Sequence, residues 1–454
     1  MWFLGIDIGT THLKVAGLTE DGTPLPADRV RTPTTTSGGL VFHDAEAVWR
    51  RARDLAARYA ATTAAPHGPL GGAAVASFGQ EESVALDRAG RMLHPSLGWW
   101  QTLPGSSLDD ATAALLDSYG HYRVSGIRHR ADQTPERTAH LRRTEPGVWR
   151  STARWADFCT VVTHRLTGEW TAASSQITHS QCFDVDTLAP DGPTLELLGL
   201  DPGLFAPVLP TGADAGALRP RALPGVALAP GARAVVGGHD QVVAARGVGA
   251  VSGARAFDSI GTSEYLMVTT DVRTPGRRSH ELGLDHERSW TPDGFVLGRP
   301  VPSGQVVRLL ADLLCGGDFD ALFAALADAP GDPLPSLTVA LGPGGSGGLL
   351  DLGGLTAGAH PGDVARRCLD LLADTAGGAL AEMCAVAGVE PGRIALMGSL
   401  FRRPEMAAHR GARWRLPLYV SPDAEPVAHG AASVARDALL DGAGPGPARG
   451  EDVS

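Results

Sequence analysis

The chain predicts an α/β protein of two domains, on three observations. At 454 residues it is too long for one hydrophobic core. Short apolar runs of strand length alternate with longer stretches of helical spacing. Nearly the same phrase also occurs twice, as Gly5-Ile6-Asp7-Ile8-Gly9-Thr10-Thr11 and as Asp258-Ser259-Ile260-Gly261-Thr262-Ser263.

Each copy lies between two apolar runs, Trp2 to Ile6 and Leu13 to Leu18 for the first, Ala254 to Ile260 and Tyr265 to Val268 for the second. That pattern predicts a hairpin whose glycine permits a tight turn. The turn offers backbone N–H groups and two hydroxyls, a cradle for phosphate oxygens. Two copies in separate halves point to a duplicated domain with nucleotide phosphates held between the halves.

The remaining elements follow in order. Residues 45–65 have helical spacing, with Val48, Leu55 and Tyr59 among Ala and Arg. Gly72 to Leu86 reads as strand material, and Thr134 to Gly168 as mostly helical with Gly168 as the stop. Residues 186–232, rich in Pro, Gly, Ala and Leu, read as a connection into the strand Ala234-Val235-Val236. The domain boundary is placed there, giving domains 1–233 and 234–441. Past the second hairpin come a helix at Gly304 to Leu314 and a Gly-rich surface stretch from Gly342. This stretch lacks Gly-Lys-Ser/Thr, so it is no Walker phosphate loop. A long helix is predicted at Pro361 to Ala387, a strand at Arg393 to Met397 and a last helix near Pro426; residues 442–454 are expected to be disordered.

A net charge of −11 argues against nucleic acid or an anionic membrane as the main partner. The five cysteines are scattered without C-x-x-C spacing, which excludes a disulfide framework or a zinc site of that type and favours a reducing cytoplasm. The start has no basic, apolar signal-peptide pattern, and no apolar run reaches membrane-spanning length. A cytoplasmic protein is expected.

Lys14 is the only lysine in the chain; every other basic side chain is arginine. A compact ammonium suits a phosphate in a tight space, although a lysine surviving at an exposed strand position explains it equally. Asp7, beside the first cradle, reads as a Mg²⁺ partner acting through water, or as a carboxylate bonding to turn amides. Asp240, after Val235-Val236-Gly237-Gly238-His239, fits a general base at the end of a buried strand, or a helix N-cap. Gln80, Glu81 and Glu82, followed by Trp99-Trp100-Gln101, combine carboxylate, amide and indole as a pocket for a polyhydroxylated ligand would.

Taken together, these residues resemble the FGGY family of carbohydrate kinases, within the actin, hexokinase and Hsp70 superfamily. Asp7-x-Gly9-Thr10-Thr11-x-x-Lys14 resembles its first phosphate motif and Gly261-Thr262-Ser263 its second. Gly79-Gln80 to Asp87 and Arg165-Leu166-Thr167-Gly168 are similar to two further family segments. Gly238-His239-Asp240-Gln241 resembles the motif that supplies the base, and Met397-Gly398 through Pro404 the adenosine loop; residues 425–432 resemble the start of its C-terminal helix.

The resemblance implies two ribonuclease-H-like domains with ATP in the cleft between them, and domain closure that excludes water. It implies that Gly9, Thr10, Thr11, Lys14, Gly261, Thr262, Ser263, Gly398, Ser399 and Arg402 hold ATP, with Mg²⁺ at Asp7. Gln80, Glu81, Glu82, Trp100, Gln101, Asp240 and Gln241 would hold a small sugar or polyol. Oligomeric state, a homodimer included, is left open. The family's Trp-x-Asp-x-Arg is replaced by Trp99-Trp100-Gln101-Thr102-Leu103-Pro104, and Ser399 stands where a second Gly is usual. The altered pocket keeps two other readings in play, an actin-like ATPase switch and a catalytically silent regulatory protein.

Overall fold

The computed structural model describes residues 1–101, 103, 107–261, 263–291, 293–331, 334–342, 348–414 and 416–440. The expected disordered tail, Thr262 and part of the Gly-rich stretch lie outside them. The described residues divide into two compact units, the first drawn from 1–251, 271–296 and 425–440, the second from 252–270 and 297–424.

The first unit is built on a sheet in the order Asp214–Ala217, Leu228–His239, Leu70–Ser77, Trp2–Ile8, His12–Thr19, Pro24–Arg31. Trp2–Ile8 runs antiparallel to His12–Thr19 and parallel to Leu70–Ser77. All seven of its residues are buried, because each face of the sheet is covered. Trp2, Leu4, Ile6 and Ile8 join a core with Val48, Leu55 and Tyr59 of the helix Ala45–Tyr59. Phe3 packs on the other face with Ala431, Val434 and Ala435 of the helix Pro426–Leu440. The strand thus reads as an apolar run broken only by a single buried acid, Asp7, one residue before its end.

In the second unit, Phe295–Val301, Glu264–Thr270, Ala256–Ile260, Ile394–Met397 and Leu418–Val420 lie side by side in that order. Ala256–Ile260 is antiparallel to Glu264–Thr270 and parallel to Ile394–Met397. Both predicted hairpins are therefore present, and in each the first strand lies between its hairpin partner and a later parallel strand. The helix Pro361–Ala387 has the predicted bounds, with Val364, Cys368, Leu372 and Leu380 buried.

Three segments differ from expectation. Residues 186–232 contain a helix, Gly192–Leu198, and two strands, since their Leu and Ala residues complete the first sheet and its core. The strand expected at Ala234 begins at Leu228, so the anticipated boundary falls inside one continuous strand of the first unit. Within Thr134 to Gly168, a strand, Arg154–Asp157, separates the helices, pairing with Ser83–Leu86. The Gly-rich stretch is flanked by paired strands, Thr338–Leu341 and Leu350–Gly353.

Candidate active site

In the first hairpin, register sets Asp7 opposite Lys14. The ammonium lies 3.1 Å from Asp7 Oδ2 and 3.0 Å from Oε2 of Glu425, the residue preceding the last helix. Asp7 is 2% exposed and its Oδ1 is buried with no hydrogen-bond partner. Burial raises the Asp7 carboxyl and Lys14 pulls it back; Asp7 in turn holds the Lys14 ammonium well above its ordinary value. Lys14 is thus no stray surface lysine: it lies between Asp7 and Glu425, whose other oxygen is 3.8 Å from Arg29. Glu425 carries no signature of its own beyond its place before Pro426.

At the turn, Gly9 N–H donates to His12 O at 3.2 Å, and Thr10 Oγ1 accepts the Trp99 indole N–H at 3.0 Å. Thr11 O accepts from Thr32 N–H at 3.0 Å.

Asp240 opens the helix Asp240–Ser252 directly after the strand that ends at His239. Gly238 makes this junction possible: its φ is +141°, and a Cβ there would stand 2.1 Å from Ser175 Oγ. The same hydroxyl accepts the His239 N–H at 3.0 Å, which fixes the junction. The Asp240 side chain is 19% exposed, and His239 Nε2 lies 3.3 Å from its Oδ1. Burial raises the carboxyl to about 6, with Asp7 adding to the shift and His239 and Lys14 opposing it. Asp240 is the first residue of the helix itself, and its carboxyl lies beside the His239 ring. Gln241 Oε1 is buried and makes no hydrogen bond.

Gln80, Glu81 and Glu82 form no solvated turn; they are 3%, 7% and 0% exposed. Glu82 accepts the Trp99 N–H at 2.8 Å and contacts His43 Nδ1 at 2.6 Å. Glu81 Oε1 sits 2.5 Å from His179 Nδ1 and 3.1 Å from the Arg130 guanidinium, which also pairs with Asp285 at 3.2 Å. Burial opposes the Glu81 charge, but His179 and Arg130 prevail and hold the carboxyl down to about 2. Gln80 Oε1 is buried without a partner. Trp100 meets the His43 ring edge-on at 5.7 Å, while Gln101 spends its amide on both backbone groups of Val41, at 2.9 and 2.5 Å.

Behind Asp240 lies a group that the sequence did not single out. Glu287, on the strand Asp285–Arg288, is wholly buried, with its Oε2 2.6 Å from His239 Nδ1 and its Oε1 3.4 Å from His179 Nε2. His179 belongs to the run Ser174 to Gln181, where every side chain is polar except Ile177 and every residue is buried. A polar run of this kind is indistinguishable in sequence from a solvated loop.

In the second unit, Gly261 N–H donates to Ser263 O at 2.9 Å, closing the second turn. Gly398 and Ser399 follow the strand Ile394–Met397, and Arg402 donates to Ala424 O at 3.1 Å. Asp258 and Glu264 of the second hairpin, both 0% exposed, pair with Arg410 of the helix Pro404–Trp414, and Ser303 donates to Glu264. Among the described residues no helix is long and apolar enough to cross a membrane.

Comparison with known proteins gives this geometry a context. Residues 2–247 match the N-terminal domain of the FGGY family of carbohydrate kinases. The chain is 24% identical over 270 residues to L-fuculokinase of Escherichia coli K12, an alignment covering 58% of this chain and 56% of that protein. It is 27% identical over 433 residues to glycerol kinase of Thermus brockianus, covering 86% and 80%. The chain spans about half the length of the first curated relatives it matches. A solved xyloylose kinase from Brucella ovis shares the fold with a TM-score of 0.84 at 20% identity, over 97% of this chain and 91% of that one.

Proposed function

Since the chain belongs to the FGGY family of carbohydrate kinases, we propose that it transfers the γ-phosphoryl group of ATP to a hydroxyl of a sugar, ketose or polyol. Asp240 acts as general base. The observation that carries this reading is the Asp240 carboxyl itself, partly buried at the end of a strand and held near 6. A base of that strength is ionised at neutral pH and still accepts a proton in the transition state. Asp240 takes the hydroxyl proton as the acceptor oxygen bonds to the γ-phosphorus and ADP departs.

Lys14 serves as a point charge for phosphate. The orphaned Oδ1 of Asp7 suits a divalent cation or its water, and Mg²⁺ there would neutralise charge on the phosphate oxygens. Gln80 Oε1 and Gln241 Oε1, buried and unpartnered, suit donation from sugar hydroxyls. The nucleotide role of Gly398, Ser399 and Arg402 rests on the family resemblance.

The test is a panel containing L-fuculose, other ketoses, glycerol and larger polyols, read by ADP release and by detection of phosphorylated product. Asp240→Asn is expected to lower turnover about 10²- to 10⁴-fold while ATP binding persists. Unchanged turnover removes Asp240 as the base. ATP hydrolysis without a phosphorylated product favours the ATPase switch, and ATP binding without any turnover favours the silent protein.

A further inference from the structure

Five side chains of the first unit alternate between acid and imidazole: Glu81, His179, Glu287, His239, Asp240. The successive contacts are 2.5, 3.4, 2.6 and 3.3 Å. Glu287 stands at the middle, 0% exposed, where an uncompensated carboxylate would be costly. An imidazolium on each side meets that demand. With Nδ1–H of His239 directed at Glu287, its Nε2 lies 3.3 Å from Asp240 Oδ1. The His239 backbone cannot turn away, because its N–H is held by Ser175 Oγ.

We propose that Glu287 is a positioning residue for Asp240, acting through His239; the proposal rests on Asp240 being the base. Glu287 keeps His239 charged and fixes its ring, and the His239 charge beside Asp240 Oδ1 leaves Oδ2 as the oxygen that receives the proton. Asp285, buried beside this line, faces both His179 and Glu287. Asp240 feels Asp7 and Lys14 from the first hairpin, and His239 feels His179. Glu81 is paired with Arg130, which also meets Asp132 and Asp285. Burial works against charge on both histidines, yet their carboxylate neighbours hold each above its ordinary value, in agreement with the geometry.

The experiment has one arm that needs no substrate. In NMR titration of the full chain, with signals assigned through His239→Gln and His179→Gln, both imidazoles are expected to titrate above the ordinary 6.5. In Glu287→Gln, His239 should titrate lower by about one unit or more. The second arm uses an accepted sugar or polyol. There Glu287→Gln should move the acid limb of kcat up by about one unit, lowering kcat at pH 6 about fivefold, with KM changed less than about threefold. Glu287→Asp should recover part of the loss.

Parent His239 titrating at or below 6.5 overturns the proposal, even if Glu287→Gln does not fold. A pH profile unmoved in that variant also overturns it. So does tight Zn²⁺ binding by the parent that His179→Ala abolishes, since His179, His239 and Glu287 offer ligand atoms within 4.8 Å of one another and would then be a metal site. A parent inactive on every substrate removes the kinase reading but leaves the titration arm standing.

Discussion

The two hairpins share a phrase and differ in what their charges do. In the first, Asp7 lies two residues before Gly9; in the second, Asp258 lies three before Gly261. Strand side chains alternate faces, so this single-residue offset sends the two aspartates to opposite sides of their hairpins. Ser259 occupies the place of Asp7 and Tyr265, its register partner, that of Lys14, while Asp258 pairs in register with Leu266. The first hairpin therefore presents a carboxylate and a partly exposed ammonium at its end. The second turns its acids inward onto Arg410, a fully buried guanidinium. The two copies share a hairpin without sharing the charge beside its turn.

The largest expected effect tests the inward half of this contrast. Arg410→Ala strands Asp258 and Glu264 without their cation and should cost about 3–5 kcal/mol, read by denaturant unfolding. A loss below about 1 kcal/mol would make the second cluster as dispensable as a surface pair. The outward half should respond in activity instead. Lys14→Met is expected to lower turnover about a hundredfold while costing only about 1 kcal/mol of stability. Equal losses in both measures would mean that Lys14 is structural.

Acid should separate the two regions more gently. The Glu81 carboxyl is held down at about 2 in the folded chain, so its stabilisation is present above 4.5 and lost as pH falls toward 2. Asp258 is raised, by burial first and by Glu264, so its contribution is fully present in acid and lost as pH rises through its folded value. Amide exchange between pH 5 and pH 3 should show protection falling around Glu81 and holding around Asp258. The smallest effect concerns the vacant counterpart of Asp7. Ser259→Ala should shift stability by no more than about 0.5 kcal/mol, against a clear loss of turnover for Asp7→Asn; a matching loss in both would erase the asymmetry.

Much of this was legible in the sequence, for identifiable reasons. The hairpins, the helix Pro361–Ala387 and the strand leading to Asp240 announce themselves because apolar period and glycine placement are local signals. Lys14 stood out as the sole lysine, and Asp240 by its strand-end position. Glu425 and Glu287 did not stand out, since their roles depend on partners hundreds or tens of residues away, Lys14 and His239. Gln101 illustrates the reverse, a residue whose amide looked available and is bound to Val41. The strand Leu228–His239 was read short because its first half, Leu-Ala-Pro-Gly-Ala-Arg, lacks β-branched residues and contains a proline.

The glycine at position 5 has a consequence for how the chain is made. A Cβ there would stand 1.9 Å from Ala428 O, because the helix Pro426–Leu440 lies directly on the first strand. Synthesis delivers that strand first and this helix more than four hundred residues later. During translation the apolar face around Phe3 lacks part of its cover, that of Ala431, Val434 and Ala435, until residue 440 has left the ribosome, while residues 297–424 are already free to fold. A ribosome stalled short of residue 425 would hold a first unit with one side of its sheet only partly covered, a species for chaperones to shelter.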